Sequence, residues 1–138
     1  MGTTAERVAA GAAFLDERDP DWWRADVDRA IDLEILDLAE PAHCVLGQRC
    51  PVAVLARFCY LDPGDEDGLS AEWWRAYTAY AMDLSGLGDA GIGPLAAWGD
   101  EHGFSNSAGK DAYPALTAEW KRVITGKRAM LASLRAAQ

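Results

Sequence analysis

The side chains with the widest chemical range in this sequence are two histidines and three cysteines: His43, Cys44, Cys50, Cys59 and His102. Thiolate and imidazole groups are ligands that zinc prefers, and four of them suffice for a tetrahedral site. The spacing does not fit the short loops of structural zinc sites, and the sequence contains no C-x-x-C or H-E-x-x-H motif. We therefore expect no metal and free thiols that pack in a core, with a thiol or metal site at Cys44, Cys50 and Cys59 as an alternative function.

The sequence also lacks the usual signatures of catalysis. Residues 103–111, GFSNSAGKD, resemble a phosphate-binding loop, but they have five residues between the glycines instead of four and end in Asp instead of Ser or Thr. There is no G-x-S-x-G nucleophile motif, and no pair of acids can be assigned to a pocket from spacing alone. We predict a protein that is not an enzyme and needs no cofactor.

Charge is distributed unevenly along the chain, whose net charge is -9. Residues 16–40 contain ten acids against three arginines, a net of -7, whereas Lys121, Arg122, Lys127, Arg128 and Arg135 follow Glu119 with no further acid. Two interpretations remain open: the acidic stretch is neutralised by the basic last helix, or it forms a binding face. A weak DNA mimic is a further alternative, although a helical rod of about 37 Å with seven charges has roughly a third of the charge density of duplex DNA. The negative charge makes direct nucleic-acid binding an unfavourable alternative.

Helix signals recur along the chain and predict an all-α fold. Thr4 opens an alanine-rich helix that includes 7–17, and Asp19 with Pro20 predicts a second helix to about Arg29. Residues 31–38 lack a consistent period and predict an irregular or short helical connector. Pro41 and Pro51 each predict the start of a short helix within 41–59, the second with an apolar face of Val52, Leu55, Phe58 and Cys59.

Three more helices are predicted in the second half of the chain. Ser70 is predicted to cap the first of them, whose apolar face carries Trp73, Tyr77, Tyr80 and Leu84. Pro94 opens the second, which ends before Gly103. The third begins near Pro114, and its apolar stripe consists of Leu116, Trp120, Val123, Ile124, Leu131 and Leu134. Exposed loops are predicted at 62–69 and 85–93. The expected architecture is one compact domain, residues 1–138, with six or seven short helices.

Two pairs of adjacent tryptophans stand out as candidate contact residues. Trp22-Trp23-Arg24-Ala25 recurs as Trp73-Trp74-Arg75-Ala76, which reflects either a duplicated helical unit or convergence within one fold. Successive helical side chains point about 100° apart, so one tryptophan of each pair belongs in the core and the other is partly exposed. An exposed tryptophan beside acids is typical of a protein-binding anchor. The predicted contact residues are Trp22, Trp23, Trp73, Trp74, Asp19, Asp21, Asp26 and Asp28.

Several motifs give the chain a resemblance to a known family. Residues 11–17 (GAAFLDE), 36–38 (LDL), 44–48 (CVLGQ), 98–104 (WGDEHGF) and 116–120 (LTAEW) resemble a family of small uncharacterised proteins encoded by bacteriophages of actinobacteria and by their prophages. The resemblance touches most of the chain outside 51–93. It implies a phage origin and the cytoplasm of a host cell, and it assigns no catalytic residue.

The function expected from the sequence is that of a small acidic phage-type accessory protein. By analogy with other small phage proteins, it would bind a host or phage protein. The sequence has no apolar run of eighteen residues and no signal peptide, so we expect a cytoplasmic protein without a membrane partner. A virion or assembly component remains an alternative.

Overall fold

Helices make up most of the structure. A computed structural model describes residues 2–40, 43–49, 69–87, 92–106 and 109–138, leaving aside the side chains of 69–76 and 92. Within these ranges there is no strand, which confirms the all-α prediction for this part of the chain. The helices there are α1 (Thr4–Arg18), α2 (Val45–Arg49), α3 (Leu69–Ser85), α4 (Ile92–Glu101) and α5 (Tyr113–Ala136), and a 3-10 turn at Lys110–Ala112 leads into α5.

The core forms where α1 crosses α5 and α4. α1 contributes Val8, Ala12 and Leu15, which recur at four and three residues and therefore share one helical face. The indole rings of Trp22 and Trp120 meet edge to face, with 5.5 Å between ring centroids. Side chains from the segments between the helices complete the core, whose largest fully buried side chains are Trp22, Trp120, Leu15, Ile31, Leu116, Ile124, Val8 and Val45.

The N-cap of the first helix lies one residue earlier than predicted. Thr3, not Thr4, is the N-cap, and its hydroxyl accepts a hydrogen bond of 3.1 Å from the backbone N–H of Glu6. Threonine can cap from either position, and here the first turn closes from Thr3. The buried residues of α1 include Gly11, whose backbone packs against the carbonyl of His102 and the ring of Trp120 with no room for a side chain.

The predicted second helix, from Asp19 to about Arg29, is wrong. Residues 19–29 form a series of turns and bends that ends with Arg29 in the left-handed conformation, at φ 58°. Several backbone carbonyls of this segment accept hydrogen bonds from arginine side chains instead of from helical N–H groups. Residues 31–38 continue without regular structure, as predicted for the connector.

The second half of the chain follows its predicted elements with shifted boundaries. α4 begins at Ile92, two residues before Pro94, so the predicted 85–93 loop is shorter at that end. Gly103 adopts a left-handed conformation, φ 72°, as expected for a residue that stops a helix. The predicted helix at 52–59 and the residues of the predicted 62–69 loop before Leu69 lie outside the described residues. No helix in the described ranges is long and apolar enough to span a membrane.

Candidate functional site

The first tryptophan pair divides between core and surface, although the helix from which this division was predicted does not form. Trp22 has no solvent-exposed area, and its indole N–H donates to Asp16 Oδ1 at 2.9 Å. Trp22 is therefore a core residue, and its predicted role as a contact residue is corrected, because a partner cannot reach a fully buried ring. Trp23 is only partly buried and packs against the rim of the core.

The second pair cannot be placed in the same way. Trp73 and Trp74 belong to α3, and their side chains lie outside the described part of the structure. The end of their predicted stripe is described: Tyr77, Tyr80 and Leu84 are partly buried and pack against the core. Both tryptophans remain predicted contact residues.

The four acids predicted beside Trp22 and Trp23 serve different purposes. Asp19 forms an ion pair with Arg49, with Asp19 Oδ2 and Arg49 Nε 2.8 Å apart. Asp26 accepts hydrogen bonds from Arg24 at 2.9 Å and from Arg135 at 3.1 Å, and these guanidinium groups, Arg24 first, hold the pKa of Asp26 well below its usual range.

The other two acids, Asp21 and Asp28, are exposed to solvent and form no short ion pair within the described residues. The Asp21 carboxylate is exposed and lies 3.7 Å from Arg24, a long separation for an ion pair. Asp28 is exposed, and its backbone carbonyl accepts from Arg49. Asp21 and Asp28 are therefore the predicted acids that a partner can reach most readily.

Arg49 fixes the loop that carries these residues. Arg49 is buried, with 3% of its surface exposed. Its guanidinium donates to both carboxylate oxygens of Asp19 at 2.8 Å, and to the backbone carbonyls of Asp28 at 2.9 Å and Arg29 at 3.0 Å. A planar guanidinium suits this arrangement, since it presents several donors in fixed directions. Arg29 in turn donates to the Arg49 carbonyl. The two arginines thus join the 19–29 loop to α2.

The carboxyl-terminal half of α5 fixes the other side of the same loop. Arg128 donates to the carbonyls of Trp23 and Ile31, each at 2.7 Å. Lys127 lies over the Trp23 ring, with its Nζ 6.0 Å from the ring centroid, and forms an ion pair with Asp16 at 3.3 Å. The basic helix therefore neutralises part of the acidic stretch, in agreement with the first of the two interpretations of the charge pattern.

The apolar stripe of α5 extends further than the core that buries it. Leu116, Trp120 and Ile124 are fully buried, whereas Met130 is 68% exposed and Leu134 is 60% exposed. At 100° per residue, Met130 and Leu134 lie within about 60° of Lys127, the residue beside Trp23. We call Trp23, Met130 and Leu134 the Trp23 face.

The sequence did not indicate that the α5 stripe emerges from the core. Leu134 was predicted on the same stripe as Leu116, and nothing in the apolar spacing distinguishes the two residues. One signal was available: Lys127 occupies the middle of the stripe, a position that a helix buried along its whole length would fill with an apolar residue. No residue of α5 beyond this lysine is fully buried.

Cys44 is the cysteine that the described residues include, and its surroundings are those of a core thiol. It is 3% exposed, and burial raises the pKa of its thiol. The Gly47 N–H donates to its Sγ at 3.3 Å, and the Tyr77 hydroxyl lies 3.7 Å away. Cys50 and Cys59 lie outside the described residues, and the described ones contain no group of three or more His, Cys, Asp or Glu side chains arranged to hold a metal.

Comparison with known proteins identifies no related protein. No protein-family model matches the chain, and no curated protein or solved structure is significantly similar to it.

Proposed function

We propose that this protein is a non-catalytic binding module whose Trp23 face contacts a protein partner. The observation that carries the proposal is the apolar stripe of α5, which continues beyond the core and leaves Met130 and Leu134 exposed on the side of the helix where Lys127 lies over Trp23. Large apolar side chains grouped on a surface are typical of contact sites, and tryptophan is enriched among the residues that dominate binding energy.

Within the Trp23 face, Trp23 itself is fixed in position by contacts with α5. Trp23 is held by its carbonyl to Arg128 and by its ring under Lys127, and the next turn of the loop is tied to the helix through the Asp26–Arg135 ion pair. A partner would therefore spend little free energy on ordering Trp23. Covering Met130 and Leu134 would contribute roughly 1 to 2 kcal/mol each, since about two thirds of a full side-chain burial remains to be gained.

Electrostatic attraction would direct a basic partner to the same region. Asp21 and Asp28 are exposed on the loop that carries Trp23, and the whole chain has a net charge of -9. Complementary charge of this kind raises association rates more than it raises final affinity. We therefore expect association with the partner to slow as salt concentration increases.

The wider identity of the protein rests on the sequence. We propose a single compact domain of six or seven helices that belongs to the actinobacterial phage family it resembles, acts in the host cytoplasm, is not an enzyme, and binds a host or phage protein. The motifs at 11–17 and 98–104 support this proposal. A virion or assembly role is the competing possibility, and it predicts self-association in place of a host partner.

Affinity capture from an actinobacterial lysate, read by mass spectrometry, tests the proposal. The wild type is compared with a Met130→Ser, Leu134→Ser double variant and with Ala132→Ser, a control on the opposite side of α5 about 140° from Lys127. We expect one protein to be captured by the wild type and by the control and lost with the double variant, while circular dichroism shows all three folded. Equal capture by all three, or self-association without capture, would contradict the proposed face.

A further inference from the structure

Acids outnumber basic residues in this chain by 22 to 13, so most basic side chains find a local partner. Among the residues that the structure describes, nine of the eleven basic side chains contact an acid, a backbone carbonyl or an aromatic ring; these are Arg7, Arg18, Arg24, Arg29, Arg49, Arg122, Lys127, Arg128 and Arg135. Lys110 and Lys121 make no such contact within the described residues. Their positive charges are therefore available in a molecule that is acidic overall.

These two lysines line the same cavity. It has a volume of about 520 Å³, is open to solvent, and lies between the 37–39 segment and the first turns of α5. That volume falls within the range of pockets that bind small molecules, roughly 300 to 1,000 Å³. The two lysines that make no contact with an acid, carbonyl or ring among the described residues thus line one concave site.

The remaining polar groups of the cavity restrict the ligand further. The Thr117 hydroxyl accepts a hydrogen bond from the Leu38 N–H at 3.0 Å, and the Tyr113 hydroxyl accepts one from the Asn106 N–H at 3.1 Å. Each hydroxyl keeps its own proton for a further hydrogen bond. Asp37 contributes the one carboxylate among the lining residues described; its Oδ1 accepts from the Ala39 N–H, which leaves acceptor capacity for a donor on a ligand.

We propose that this cavity binds a small anionic molecule in which a phosphate or carboxylate group contacts Lys110 and Lys121 and a hydroxyl or amino group contacts Asp37. Two ammonium groups against one carboxylate give the lining a net charge of +1 where the whole chain has -9. A phosphate or carboxylate group has several acceptor oxygens and could accept a hydrogen bond from each lysine. Such charge-assisted hydrogen bonds are stronger than those between neutral groups. The site is separate from the Trp23 face and does not depend on the proposed protein partner.

Nuclear magnetic resonance titration of the full chain tests this site. ¹⁵N-labelled protein is titrated with inorganic phosphate, glycerol 3-phosphate and citrate in separate arms, with sodium chloride holding the ionic strength constant. We expect saturable shifts at the amides of 37–39 and 110–121 with the phosphate arms, with citrate, or with both, which also identifies the preferred anionic group. Glycerol 3-phosphate binding more tightly than inorganic phosphate would support the contact with Asp37.

Matched variants separate a specific site from general attraction to positive charge. Lys121→Gln and Lys110→Gln are each expected to weaken binding about ten-fold or more, the effect of losing one charge-assisted hydrogen bond. Arg122→Gln removes the same charge from the next residue of α5, where the side chain is exposed and paired with Glu119, and should leave the dissociation constant unchanged. Equal weakening by Arg122→Gln, or no saturable shift with any of the three anions, would overturn the proposal.

Discussion

Two glycines inside helices, Gly11 and Gly126, are expected to respond in opposite ways to substitution by alanine, one losing and the other gaining stability. Gly11 lies inside α1, and a methyl group there would overlap the carbonyl oxygen of His102 and approach two ring carbons of Trp120 to 2.9 Å. Gly126 lies inside α5 with open space around it, so a methyl group would meet nothing within 4 Å. Changing either glycine to alanine gives the same intrinsic gain in helix propensity, about 1 kcal/mol.

The expected difference follows from these surroundings. At Gly11 the obstacle is a backbone oxygen at the end of α4 and a fully buried ring, neither of which can move aside alone. We expect a cost at the upper end of the overpacking range, about 3 kcal/mol or more, and hence a net loss of about 2 kcal/mol or more for Gly11→Ala. Gly126→Ala is expected to gain about 0.5 to 1 kcal/mol.

Urea denaturation followed by tryptophan fluorescence and by circular dichroism measures both variants. Trp22 and Trp120 are fully buried, so their emission reports the packing of the core directly. A net loss of 2 kcal/mol corresponds to a decrease of roughly 8 °C in melting temperature for a domain of this size. A Gly11→Ala variant within 0.5 kcal/mol of the wild type would refute the close approach of α1 to α4 and α5, whatever the result at Gly126.

Three further predictions concern the core and the loop that surrounds it. Trp22→Ala should cost about 3 to 5 kcal/mol in the free energy of unfolding, measured by urea titration, because a fully buried indole is lost; a loss below 1 kcal/mol would contradict the burial of Trp22. Asp19→Ala should cost about 2 to 3 kcal/mol by leaving the buried Arg49 guanidinium without its carboxylate, and much less in an Arg49→Met background; additive losses in the double variant would contradict the pairing. Burial raises the pKa of the Cys44 thiol, so the unfolded chain loses that proton first and stability should fall as pH rises above about 8.5. Thermal denaturation at a series of pH values should show a smaller fall for Cys44→Ala. The same dependence of melting temperature on pH in both proteins would contradict this prediction.

Arginine side chains explain how a long segment without helix or strand is held in place. Arg49 and Arg128 approach the 19–31 loop from two different helices and donate to four of its backbone carbonyls. Buried backbone carbonyls are rarely left without a hydrogen bond, and in a helix the N–H groups four residues later would supply it. Here the arginine side chains supply it instead. The loop can therefore place Trp22 in the core and Trp23 at its rim without forming the predicted second helix.

Local sequence signals predicted most of the helices. Apolar side chains repeated at three and four residues indicated α1 and α5, and Pro94 and Gly103 indicated approximately where α4 begins and ends. These features could be read from sequence because each depends on residues within one or two turns of helix. The all-α class followed from them.

The tertiary structure decided the features that depend on distant residues. Asp19 and Pro20 form a good helix start by themselves, yet Arg49, thirty residues later, takes the Asp19 carboxylate. The Trp23 face exists because the core ends near Lys127, and the cavity with Lys110 and Lys121 exists because the 37–39 segment lies against α5. Neither site has a local sequence signature, since each is defined by where separate segments meet and which charges remain without a partner.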